Sequence, residues 1–159
     1  MKMELIQPFI NATDSVLSEV MGGSTRMTDM TMEPEAHKRL GVAAFVIFSG
    51  DIEGRIVFDA EPQAVLKVAE HLAGGPVASD DDVLRESVCE MANLIIGNAV
   101  TTLNDQGFRF KVHPPTAHLD SLGLASTEDV EALVMSFETA AGKVYMNIAM
   151  RYHHRRHED

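Results

Sequence analysis

The sequence predicts an α+β domain, a largely antiparallel sheet packed by two long helices and an N-terminal helix. Three features carry this. Apolar residues recur at helical spacing near the N-terminus and again between residues 84 and 102. Several β-rich apolar runs are separated by turns too short for a crossover helix, which indicates antiparallel pairing. The run 143–152 alternates, with Val144, Met146, Ile148 and Met150 on one side and Tyr145, Asn147, Ala149 and Arg151 on the other.

Taken in order, residues 4–21 form an amphipathic helix through Leu5, Phe9, Ala12, Val16 and Val20, stopped by Gly22-Gly23. Residues 26–32 alternate, with Met27, Asp29 and Thr31 opposite Thr28, Met30 and Met32, and Pro34 beyond them suggests an edge strand. Val42 to Ser49 and Arg55 to Phe58 are strands, with the hairpin turn at Gly50 to Gly54. Pro62 opens a helix at a first-turn position where its missing N–H costs little, and Gly74-Gly75-Pro76 ends it.

Asp80-Asp81-Asp82 supplies an N-cap and negative charge to the longest helix, which runs to about Asn104 and closes at Gly107. Phe108 to Val112 is a strand and Pro114-Pro115 forces an extended exit. Residues 116–127 read as loop. Val130 to Thr139 and Lys143 to Tyr152 are the last two strands, joined at Ala140-Ala141-Gly142.

Composition bounds the function. The 159 residues are 45% apolar and 23% charged, which fits one globular domain over 1–152 with a flexible tail at 153–159. The formal net charge of −11 argues against a nucleic-acid partner, since phosphate backbones need clustered Lys and Arg. The one basic cluster, Arg151 to His157, reads as a solvated tail. No apolar run approaches the roughly 18 residues that span a membrane, so no membrane partner and a cytoplasmic location are expected. A single cysteine, Cys89, leaves no disulfide framework and no cysteine zinc site, and it reads as a packing residue rather than a nucleophile.

The longest helix holds the candidate chemistry. At about 100° per residue, Leu84, Val88, Met91, Ile95 and Thr102 fall on one stripe facing the core. Glu86, Glu90, Asn93, Gly97 and Asn104 fall opposite, facing solvent, while Asn98 lies nearer the apolar side. Glu90 and Asn93 are three residues apart and share a helix face, so an acid and an amide stand together on an exposed ridge. Gly97 costs roughly 1 kcal/mol relative to alanine inside a helix, and leaves a notch for a partner's backbone or for close packing of a second helix.

Together, Gln7-Pro8-Phe9-Ile10, the central strands with Gly50 and Gly54, and Glu90-x-x-Asn93-x-x-x-Gly97-Asn98 resemble the CheC/CheX/FliY family of chemotaxis phosphatases, with CheX closest in size and layout. Glu86, with Ser87 beside it, stands where that family often has Asp or Ser, and Pro114-Pro115 fall close to an expected proline. The resemblance implies a CheC-like fold and removal of the phosphoryl group from a CheY-type response regulator. In that reading Asn93 orients water and Glu90 engages the receiver's lysine, with Glu86 and Gly97 contacting the partner. Mg²⁺ comes with the receiver, and the chain has no cofactor of its own. CheX-type members pair into dimers by joining sheet edges, and the strand at 143–152 is read as the edge that a homodimer would cover.

Two other readings remain open on the residues. One is a receiver-binding scaffold without catalysis. The other is a metal-dependent hydrolase using His113, His118 and Asp120, although the two prolines between the histidines prevent their presentation on one helix turn.

Overall fold

A computed structural model describes residues 3–23, 25–33, 40–119 and 132–153. Helix α1 (Met3–Met21) leads into β1 (Arg26–Glu33), β2 (Val42–Gly50) and β3 (Ile52–Ala60). Helices α2 (Pro62–Ala73) and α3 (Asp81–Asp105) follow, then β4 (Phe110–Val112), β5 (Thr116–His118), β6 (Ala132–Thr139) and β7 (Gly142–Tyr152). The strands form one antiparallel sheet in the order β1-β6-β7-β3-β2-β4, with β5 also paired to β2. The helices cover one face of it, so the predicted class holds.

The two-residue period of the strands builds the core. Ala44, Val46 and Phe48 of β2, Ile56, Phe58 and Ala60 of β3, Leu133, Met135 and Phe137 of β6, and Val144, Met146, Ile148 and Met150 of β7 face the helices. They meet Leu5, Phe9, Val16 and Leu17 of α1, Val65 and Val68 of α2, and the apolar row of α3.

Five expectations change. Strand β7 lies between β6 and β3, so it offers no edge. Its Asn147 and Ala149 are buried although they alternate with the residues that face the helices, since β3 and β6 flank them on both sides within the sheet. Asn147 Oδ1 accepts from Arg55 Nη1 at 2.9 Å, which satisfies both polar groups in that layer. Arg151 and Tyr152 belong to β7, and the His153 N–H donates to the Asp51 carbonyl at 2.9 Å. The basic cluster therefore begins inside the sheet, and the rest of the proposed tail, 154–159, lies outside the described residues.

Within residues 116–127, Thr116–His118 is a strand on β2; residues 120–127 lie outside the described part. In β1 the alternation breaks at a bulge between Met27 and Asp29, so Met27 opposes Phe137 and Met30 opposes Met135. The expected five-residue hairpin turn narrows to Asp51. Gly50 extends β2 by pairing with β4, and Ile52, Glu53 and Gly54 extend β3 by pairing with β7.

Gly54 is held at φ +144°, and a Cβ there would sit 2.0 Å from the Ala149 carbonyl oxygen. That contact is with backbone, in the middle of the β3–β7 ladder, where nothing flexible can yield. Gly54→Ala is expected to destabilise the fold by about 3 kcal/mol, read from the midpoint of urea unfolding.

Candidate functional site

Helix α3 is started and rotated by identifiable interactions. Asp80 caps it, its Oδ1 accepting from the Val83 N–H at 2.9 Å, and Asp81 and Asp82 add charge favourable to the helix N-terminus. Arg85 donates to Asp82 Oδ1 at 3.2 Å. Ser87, Val88, Met91, Ala92, Ile95, Ile96, Ala99 and Leu103 are buried, and this row sets the helix's rotation about its axis. Removing a side chain such as Ile95 or Leu103 from water is worth about 1.5–3 kcal/mol.

With that row turned inward, Glu86, Glu90, Asn93 and Gly97 stand on the exposed side. Glu90 and Asn93 lie one turn apart and, among the described residues, neither side chain has a hydrogen-bond or ion-pair partner. An uncommitted carboxylate and amide can therefore meet an incoming molecule without breaking an internal bond. Among the described residues, a Cβ built on Gly97 meets nothing within 4 Å, so no described helix packs into its notch.

Some placements differ from expectation. Thr102 is exposed and Leu103 takes the core position, while Leu84 is only partly buried against the core. Asn98 is exposed rather than satisfying groups on the apolar side. The exposure of Thr102 and Asn98 has one cause: α1 lies along α3 without closing over it. An open groove of about 590 Å³ remains between them, lined by Gln7 and Asn11 on one side and Asn98, Thr101 and Thr102 on the other. On the opposite flank of the ridge a shallow hollow of about 460 Å³ is lined by Arg85, Glu86, Cys89, Glu90 and Ala117.

Leu94, absent from the expected ridge, is 39% exposed beside Asn93. The same angular rule places it about 40° from Glu90, so the sequence held the signal.

The histidines do not form a metal site together. The His113 N–H donates to the Ile47 carbonyl, whereas His118 pairs opposite Ala43, four residues along β2 and therefore about 13 Å away. His113 Nε2 lies 3.1 Å from Ser49 Oγ and His118 Nε2 lies 3.2 Å from Thr116 Oγ1. Asp120 is outside the described residues. Among the described residues no three His, Cys, Asp or Glu are grouped as a metal site.

Cys89 is half-buried with its Sγ 3.9 Å from the Pro115 carbonyl oxygen. Burial, and then the charge of Glu90, push its thiol above the usual range. The reactive thiolate is thereby suppressed, which suits a packing residue.

A seven-stranded antiparallel sheet with an outward-facing acid–amide helix defines a domain of the CheC-like class. Solved structures share this fold. A CheC-like superfamily protein from Shewanella sp. PV-4 superposes with a TM-score of 0.81 at 19% identity, covering 95% of this chain and 99% of that one. CheX from Desulfovibrio desulfuricans gives 0.78 at 22% identity, covering 93% and 99%. CheX from Borrelia burgdorferi, solved as a CheX–CheY–BeF3–Mg²⁺ complex, gives 0.74 at 30% identity, covering 94% and 99%. No curated protein matches the chain by sequence. The family model described as chemotaxis phosphatase CheX matches residues 42–138, a span that contains all of α3. The chain belongs to the CheX family.

The suppressed thiol makes a test of the local electrostatics. Cys89 is expected to react with iodoacetamide at pH 8 more slowly than free cysteine, because less of it is thiolate. Glu90→Gln should speed the reaction by removing the neighbouring charge; alkylation rates followed by mass spectrometry check both.

Proposed function

We propose that this chain hydrolyses the aspartyl phosphate of a CheY-type response regulator, using Asn93 to orient water and Glu90 to engage the receiver's lysine. The observation that carries the reading is the exposed, uncommitted Glu90/Asn93 pair within the stretch that matches the chemotaxis phosphatase family. The complex of the Borrelia relative, which contains CheY and Mg²⁺, supports the choice of partner.

Phosphoryl transfer is catalysed mainly by positioning and electrostatics. An amide suits this task because it can donate one hydrogen bond and accept another, fixing a water in line with the phosphorus. Asn93 is too weak a base to take the proton, so its role is orientation. Glu90 offers a carboxylate to the receiver's lysine and fixes the docking angle, and Glu86 adds a second acid one turn earlier. Gly97 leaves room for the partner's backbone. Mg²⁺ bound by the receiver neutralises phosphoryl charge; this chain contributes the amide, the carboxylates and the exclusion of bulk water. In this reading the reaction takes place in the cytoplasm. Among the described residues, no helix is long and apolar enough to cross a membrane.

With a phosphorylated receiver, Asn93→Ala is expected to slow dephosphorylation about a hundredfold while leaving the fold intact. Glu90→Ala should weaken docking about tenfold, and Glu90→Lys more, because it sets like charges together. Phosphate release measured with and without the protein decides the matter. Unchanged rates in both variants would sink the assignment, and binding without acceleration would mark a scaffold.

We also propose a homodimer. With β7 interior, we assign it to β1, one of the two ends of the described sheet, which exposes Met27 (37%) and Met30 (40%). Sedimentation equilibrium at micromolar concentration should give twice the chain mass; monomer alone would overturn this.

A further inference from the structure

Two observations on α3 are unexplained by the chain's own stability. Leu94 is, among the described residues of this helix, the one large apolar side chain that stands exposed. Gly97 occupies a helix interior, where alanine would be favoured, yet a Cβ there would touch nothing within 4 Å. Among the described residues, no contact requires the glycine and none buries the leucine fully.

The two features adjoin the proposed catalytic pair. Taking Glu90 as the origin, Leu94 lies about 40° to one side, Asn93 about 60° to the other, and Gly97 about 20° from Glu90 on the Asn93 side, one turn further along. Knob and notch thus sit side by side on the ridge that carries the polar pair. Interfaces commonly place an apolar anchor within a polar surround, because the anchor gains affinity only when water leaves it. A glycine without a side chain lets the approaching surface come closer to the helix backbone.

We propose that Leu94 and Gly97 form an apolar contact patch for the phosphorylated receiver domain, Leu94 as the buried anchor and Gly97 as the clearance that allows close approach. The proposal rests on the reading of this face as the receiver-docking site, with which the patch is continuous. The partner surface it fits is aliphatic and lies beside the receiver's phosphoryl group. The patch provides affinity and alignment; it does not act on the water.

The test uses the full chain and a panel of CheY-type receivers. Each receiver is phosphorylated for turnover and loaded with BeF3⁻ and Mg²⁺ for binding. Leu94→Ala is expected to raise the dissociation constant and KM about tenfold while kcat stays within about twofold, whereas Leu94→Met keeps both near wild type. Gly97→Ala is expected to raise the dissociation constant severalfold while raising, or leaving unchanged, the melting temperature, since alanine is the better helix former. That combination separates a docking role from a structural one. A dissociation constant within about twofold of wild type in both alanine variants, in a chain that still accelerates hydrolysis, overturns the patch alone. A wild-type chain that accelerates no receiver overturns the underlying reading and the patch with it.

Discussion

Burial of one row of α3 is the constraint on which the rest depends. Val88, Met91, Ala92, Ile95, Ala99 and Leu103 must leave water, and they do so against the sheet and the flank of α1. A helix is stiff, so fixing one face fixes the opposite one. The orientation of Glu90 and Asn93 is therefore a by-product of core packing, and the site needs no dedicated scaffold of hydrogen bonds. The sheet supports this in turn, because the period-two strands give α3 a continuous apolar floor through Val46 and Phe48 of β2.

The resulting site is defined by what it leaves uncommitted. Most polar groups near the core are satisfied internally: Arg55 binds Asn147, Asp59 accepts from the Leu40 and Gly41 N–H groups, and Glu61 accepts from the Lys143 N–H. The ridge of α3 is built differently, with a carboxylate, an amide, a bare glycine and a leucine presented outward. Such a surface supplies orientation and contact. In the proposed reaction, the electrophile and the cation come with the other protein, so a short helical segment suffices.

Long periodic elements were the most legible. Helices α1, α2 and α3 lie within a residue or so of the expected bounds, because capping residues and glycines mark their ends locally. The ridge was legible for the same reason, since angular position follows from spacing alone. Short elements were not. Strand β5 has three residues and exists because β2 offers it an unpaired edge, a circumstance absent from its own sequence. The bulge at Met27 was hidden similarly: alternation assumes an unbroken phase, and pairing to β6 is what breaks it.

The sequence by itself determined the class of fold, the elements that build it, the family resemblance and the pairing of Glu90 with Asn93 on one helix face, all of which depend on neighbours within a turn or a strand. Only tertiary structure decided which strand is central, that Asn98 and Thr102 open onto the groove beside α1, and that His113 and His118 are held apart. It also decided that Gly97 has no neighbour over its Cβ position among the described residues and that Leu94 stays partly in water. These depend on contacts between residues distant in the chain, and local periodicity carries no record of what a face will meet.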